Sequence, residues 1–343
     1  MHLGPVMIGI RGLVLLPEER ELLCDPRIGG VILFSRNYES IEQLSQLTEA
    51  IHAIRRPSLL IAVDQEGGCV QRFRTGFTAL PAPACLGRLY DHGPPVALAA
   101  AERLGWLMAA ELRAAGVDLS FAPVLDVERG VSRVIGERAF HRRAGAVADL
   151  TLSWVRGMRQ AGMAAVGKHF PGHGAVVADS HHELPVDDRP LDTIASVDFL
   201  PFRRLIAVGL EGVMMAHVLY PQVDARPASF SGVWIAGVLR ETLGFTGAVV
   251  SDDLGMQAAA CIGDLYQRAG VALAAGCDLL LLGNDWEPAA SIVERLPSVE
   301  RPVRAARLAA LRGEGRLGSP LQRDPRWLPA VTLATQLCGE VPR

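Results

Sequence analysis

Residues able to move protons, attack a substrate or grip polar ligands recur at the ends of short apolar runs in this chain. The richest such segment is Lys168–Pro185, KHFPGHGAVVADSHHELP. Gly167, Gly172 and Gly174 relax its backbone and Pro171 breaks any helix. His169 and His173, four apart, are therefore not the helical HxxxH pair of a zinc site. Asp179-Ser180-His181 sets a carboxylate two residues before an imidazole. A carboxylate that accepts the imidazole N–H fixes the tautomer, orients the ring and raises its basicity. Such a dyad shuttles protons near neutral pH; taken alone, the pair also reads as a solvated surface contact. The second candidate is Ser251-Asp252-Asp253. Adjacent aspartates at a strand end point apart, so one of them, Asp252, is expected to face the reacting centre. Asp253 is expected to cap a helix starting near Leu254. An aspartate in that position serves as nucleophile, general base or metal ligand.

The elements that must position these residues are short apolar runs. They are Pro5–Ile10, Gly30–Phe34, Leu59–Asp64, Asp118–Pro123, Ala164–His169, Gly212–His217, Ala248–Asp252 and Asp278–Leu282. They are continuous rather than alternating, as in strands buried on both faces of a parallel sheet. Stretches with helical periodicity lie between them, including Glu42–Ile54, Val96–Ala115, Gly145–Gln160, Ser196–Val208 and Tyr266–Ala275. This pattern predicts an α/β fold, a single (β/α)8 TIM-type barrel with terminal helices. One domain is expected over 1–343, with 297–343 as a C-terminal helical extension. An open doubly wound sheet is the alternative, but no Gly-rich phosphate turn follows the first run. In a barrel, Asp64, Asp126, Lys168, His169, His217 and Asp252 all fall on the C-terminal rim, where barrel active sites are built.

A formal net charge of −3 over 343 residues offers no basic face for nucleic acid or an anionic membrane. Six scattered cysteines without a CxxC pair argue for reduced thiols and against a zinc site or a disulfide framework. The apolar N-terminus lacks a basic leader and is interrupted by Arg11, so it reads as a first strand. A cytoplasmic protein is expected.

DQEGG-x-VQRF from Asp64, KHFPGHG…DSH…LP from Lys168 and SDDL from Ser251 together resemble the family-3 glycoside hydrolases. The likeness is to their single-domain β-N-acetylglucosaminidases of Gram-negative peptidoglycan recycling, and runs from about Pro5 to at least Cys277. It implies that Asp252 is the nucleophile of a covalent glycosyl-enzyme. It implies that His181 protonates the leaving oxygen and then activates water, with Asp179 as its partner. Asp64, Arg72, Arg138, Lys168 and His169 would bind the hydroxyls and acetamide of N-acetylglucosamine. The implied partner is a small-molecule muropeptide, N-acetylglucosaminyl-1,6-anhydro-N-acetylmuramic acid with or without its peptide. The protein is expected to be a monomer with no cofactor, no metal, and no nucleic-acid or membrane partner. A histidine acid also spares Asp252 the repulsion of a second carboxylate, unlike the usual retaining pair ~5–5.5 Å apart. The glycine-rich loop suggests that His181 swings into place with substrate. Two departures bear on fine preference: Cys69 where a basic residue is usual, and Gly255 where Ser is common. Two rival readings are a metal-dependent barrel hydrolase, using His169, His173, His181, His182 and His217 with Asp252, and a sugar-binding barrel without turnover.

Overall fold

The computed structural model describes residues 2–284, 286–297, 301–314 and 321–339. All eight apolar runs are strands: β1 Val6–Gly9, β2 Ile28–Leu33, β3 Leu60–Val63, β6 Leu119–Ser120, β7 Val166–Phe170, β8 Gly212–Met215, β9 Ala248–Asp253 and β10 Leu279–Leu282. The other two strands, β4 Gln65–Gly67 and β5 Val70–Gln71, form a small antiparallel hairpin. The eight pair in parallel in the order β6-β3-β2-β1-β10-β9-β8-β7. The seam between β6 and β7 is closed by the irregular segment after β6. Val166 N–H donates to the Ala122 carbonyl at 2.9 Å, and Leu125 N–H to the Lys168 carbonyl at 2.6 Å. The expected strand to Pro123 stops at Ser120, and Pro123 has no N–H with which to extend a regular ladder.

Because both faces of each strand are covered, the core has two layers. Val6, Ile8, Val31, Ile61 and Val213 face outward to the helices. Met7, Ile32, Leu60, Phe121, Val166 and Val250 fill the barrel interior. Leu308 and Leu311 join the interior cluster. Leu311 lies beside Gly212, the first residue of β8, so the helix Pro302–Ala309 and the turn after it plug the mouth opposite the C-terminal strand ends.

Helices Ile41–His52, Pro94–Ala114, Ala144–Gln160 and Leu265–Ala275 lie where periodicity puts them. The helix expected over Ser196–Val208 is instead two, Leu191–Val197 and Phe199–Ile206, meeting at Asp198. Pro201 cannot donate back across that junction, and the Asp198 carboxylate ties it to Arg129 and Arg189, each at 2.9 Å. Beyond residue 296, helices Pro302–Ala309 and Trp327–Gly339 occupy the expected extension, the latter packed on Pro94–Ala114. Parts of that extension, 298–300, 315–320 and 340–343, lie outside the described residues. Among the described residues no helix is long and apolar enough to cross a membrane.

Truncating the plug tests its place in the core. Leu308→Ala is expected to cost about 2–5 kcal/mol, the range for a buried leucine that leaves a cavity. The measurement is the urea midpoint at unchanged m-value; a loss below about 0.5 kcal/mol would place Leu308 on the surface.

Candidate active site

Seven of the eight residues singled out from the sequence line one pocket above the C-terminal strand ends, and Asp179 stands behind one of them, His181. The pocket is blind. Ile32, Met214 and Leu281 form part of its lining and belong to the packed barrel interior.

One wall is an ion network. Lys168, on β7 and only 3% exposed, sits 2.9 Å from Asp64 Oδ1 and 2.6 Å from Glu66 Oε1. Arg138, in the turn Gly136–Arg138, grips Glu66 with two parallel bonds of 2.8 Å. Arg72 completes the wall, 3.5 Å from Asp64. Burial works against charge on Glu66, but Arg138 and Lys168 overcome it and hold the carboxyl far below the usual carboxylate range. Burial likewise opposes the Lys168 ammonium, and Asp64 and Glu66 more than restore it. Glu66 was not singled out from the sequence, although it stands inside the DQEGG motif. The hairpin that presents it is pinned from behind: Gln65 exchanges two side-chain bonds with the Phe73 backbone, at 3.0 and 3.1 Å. Gly67, at φ +111°, makes the turn, and a Cβ there would lie 2.5 Å from the Pro81 carbonyl.

Consecutive residues of a regular strand face opposite ways, yet Lys168 and His169 both line the pocket. The β7–β8 register shifts between Lys168 and Phe170, which re-aims the side chains. His169 Nδ1 lies 2.7 Å from Asp126 Oδ2, and Asp126 also accepts the N–H of His169 and of His173. Asp126 was read from sequence as a rim residue only; its partners lie more than forty residues away in the chain. Burial opposes its ionisation, but His169 and His173 outweigh it and hold the carboxyl below the ordinary carboxylate range.

A second, similar dyad stands on the rim: His181 Nδ1 lies 2.7 Å from Asp179 Oδ1. His181 is 58% exposed. Burial tends to raise Asp179, but the N–H groups and charge of His181 bring it down. In the same pocket, Asp252 is the penultimate residue of β9 and accepts the Asp253 N–H at 2.8 Å through Oδ1. Burial raises Asp252, and the imidazoles of His217 and His169 with the Asp253 N–H outweigh it, so the group is more acidic than usual. The N–H contribution persists whatever the protonation of the rings.

Asp253 departs from expectation twice. It lines the pocket beside Asp252, and no helix starts at Leu254. Its Oδ1 accepts the Gly255 N–H in a turn, and Oδ2 takes the Gly283 N–H and Asn284. A 3-10 turn follows from Gln257, and the helix begins only at Leu265, capped by Asp264. His217 is fully buried, stacked on Phe230, and lies 3.0 Å from the Asp253 carbonyl through Nε2. Cys69 sits exposed between the hairpin strands and does not line the pocket. All six cysteines are free thiols.

A polar pocket at the C-terminal strand ends of a (β/α)8 barrel is where this fold builds enzyme active sites. Residues 10–309 match the glycosyl hydrolase family 3 N-terminal domain. The chain is 58% identical to a β-hexosaminidase of Alkalilimnicola ehrlichii, over 96% of this chain and 95% of that one. It is 54% identical to the β-hexosaminidase of Thioalkalivibrio sulfidiphilus, over 98% and 97%. Its fold superposes on NagZ from Neisseria gonorrhoeae in complex with N-trifluoroacetyl-D-glucosamine, with a TM-score of 0.94 at 42% identity, covering 98% and 99% of the two chains. The chain belongs to glycosyl hydrolase family 3 and is a β-N-acetylhexosaminidase.

Two buried imidazoles give the site a pH signature. Burial pushes His173 and His217 below the ordinary histidine range, so both are neutral in the folded protein at pH 7. On unfolding they regain an ordinary value of about 6.5. The unfolded chain then binds more protons than the folded one below that pH. Their contribution is complete above it and is lost as pH falls toward the folded values. His217→Gln keeps an Nε2 donor for the Asp253 carbonyl and removes the titration. Its Tm is expected to fall less steeply than wild type between about pH 6.5 and 5; an identical slope would show that His217 does not titrate in that window.

Proposed function

We propose that the enzyme is a retaining exo-β-N-acetylglucosaminidase that removes N-acetylglucosamine from 1,6-anhydro-N-acetylmuramic acid muropeptides in the cytoplasm, as a step in peptidoglycan recycling. The observation that carries the mechanism is how the pocket carboxylates are occupied. Asp64 and Glu66 are committed to Lys168, Arg72 and Arg138. Asp253 is committed to backbone N–H groups and Asn284. Asp252 is held by one N–H at Oδ1, and no described residue is recorded as a partner of Oδ2. Asp252 is thus the carboxylate placed to attack the anomeric carbon, and its raised acidity keeps it ionised.

With its own carboxylates committed, the pocket takes its proton from the rim. His181 donates its Nδ1–H to Asp179, which leaves Nε2 to protonate the leaving oxygen and then deprotonate water. An imidazole adds no negative charge beside Asp252, so the nucleophile is not pushed toward its neutral form. The cation-rich wall grips sugar hydroxyls and acetamide, Lys168 and Arg138 as donors and Asp64 as acceptor. The closed floor admits a chain end and not a chain interior, which makes the enzyme exo-acting. The gonococcal relative, crystallised with an N-acylated glucosamine, supports the choice of sugar.

The metal-hydrolase reading lacks a donor set. Among the described residues no three His, Cys, Asp or Glu side chains come close enough to hold one ion. His169, His173 and His217 are instead hydrogen-bonded to Asp126, Ser180 and the Asp253 carbonyl.

A 5-fluoro N-acetylglucosaminyl fluoride is expected to inactivate the enzyme, in the presence of a chelator, by accumulating a glycosyl ester. Peptide mass spectrometry should find the added mass on Asp252, and Asp252→Ala should neither turn over 4-nitrophenyl N-acetyl-β-glucosaminide nor take up the label. Label on another carboxylate, or full activity in Asp252→Ala, would refute the assignment.

A further inference from the structure

The loop that carries the Asp179–His181 dyad is fixed at its root, at the core-packed Val176 and at Ser180. At its root, Tyr220 Oη donates to the Gly172 carbonyl at 2.6 Å, and the His173 N–H donates to Asp126 at 2.6 Å. Gly174 presses so closely on the backbone that a Cβ would lie 2.0 Å from the Val127 carbonyl. Residues 175–179 follow, with Val176 packed into the core and Val177 exposed. The chain returns to the body at Ser180, which is 2% exposed, although His181 beside it faces solvent. Two bonds hold Ser180. Its Oγ lies 3.1 Å from His173 Nε2, and its carbonyl accepts the Ala258 N–H at 3.1 Å. Ala258 follows β9, the strand that carries Asp252.

We infer that Ser180 and His173 are positioning residues for His181: their side-chain bond is the tether that registers the acid over the pocket. The inference rests on His181 being the acid/base, as proposed above. His181 is an exposed imidazole with no packing of its own to place it. The first buried atom set next to it in the chain is Ser180, so the direction in which His181 leaves the body is set there. Of the two bonds on Ser180, the carbonyl contact is main-chain and independent of residue type, while the Oγ bond needs a hydroxyl. His173 is suited to hold that hydroxyl because the neighbouring elements fix it. Asp126 holds its main chain, His169 packs against its ring with centroids 6.0 Å apart, and burial, aided by His169, keeps the ring neutral against the pull of Asp126 and, more weakly, Asp252. Acid/base help depends on placement to within a fraction of an ångström, and a misplacement of about 1 Å costs on the order of 100-fold.

Ser180 and His173 also line the pocket, so a loss of sugar binding would fall on every substrate alike, whereas a loss of proton transfer depends on the leaving group. The experiment compares kcat/KM for 2,4-dinitrophenyl N-acetyl-β-glucosaminide, whose phenolate leaves without a proton, with kcat/KM for an N-acetylglucosaminyl disaccharide. Ser180→Ala is expected to lose about 10- to 100-fold on the disaccharide and under about 3-fold on the dinitrophenyl substrate. His173→Phe, which fills the same space, should reproduce that profile, and Ser180→Thr, which keeps the hydroxyl, should return it toward wild type. His181→Ala, run alongside, separates the two levels of the argument. If it discriminates between leaving groups and neither Ser180→Ala nor His173→Phe does, the tether is wrong and the acid stands. If His181→Ala itself fails to discriminate, both fall.

Discussion

A lysine ammonium almost removed from water is the constraint around which the site is organised. The effective cost of burying such an ion unpaired is several kcal/mol, so Lys168 at 3% exposure requires anions in contact. It has two, and each is itself paired: Asp64 with Arg72, Glu66 with Arg138. The network thus sets three cations against two anions, with each charge in contact with an opposite one. It also joins parts of the chain that the backbone joins weakly. Asp64 follows β3 and Lys168 lies on β7, and between them stands β6, two residues long and joined to β7 through an irregular segment. The side-chain ions cross the top of the seam where the ladder is poorest. The same contacts that close the barrel thus form the polar wall of the pocket.

This arrangement divides labour among chemically similar groups by their surroundings. Two Asp–His pairs share the same Nδ1-to-carboxylate distance of 2.7 Å. The Asp126–His169 pair is buried in the wall, where Asp126 also holds main-chain N–H groups and so acts as a fixed support. The Asp179–His181 pair is open to solvent, where protons can be exchanged with water between the two halves of a reaction. Likewise Asp252 and Asp253, adjacent in sequence, differ because one has both oxygens engaged by neighbours and the other presents its carboxylate to the pocket. Geometry, not residue type, decides which member of each pair can react.

The sequence was most legible where burial is simplest. Strands covered on both faces must be continuously apolar, and all eight runs proved to be strands with their ends within a few residues of expectation. The polar residues at those ends were legible for the same reason, since a charge that follows an apolar strand in a barrel has one rim on which to emerge. What escaped was whatever depends on partners distant in sequence. Glu66 stood in plain view in DQEGG, but its value comes from Arg138, seventy-two positions away. The hairpin Gln65–Gln71 carries too few apolar residues to signal strands. Asp253 was expected to cap a helix because Asp before an apolar stretch does so often. Here its oxygens are drawn to Gly283 and Asn284 at the end of the neighbouring strand β10, and the chain turns before the helix begins.

The pairing of β1 with β10, Val6 against Leu280, has a consequence for how the molecule comes into being. One edge of β1 finds its partner only when the intervening strands and helices have been made, and the leucines that stopper the barrel, Leu308 and Leu311, emerge later still. Until then β1 offers open hydrogen-bonding groups beside apolar side chains, the kind of edge that recruits unintended neighbours. Nascent chains released early, or synthesised faster than they can close, are thus the form of this protein most in need of a chaperone.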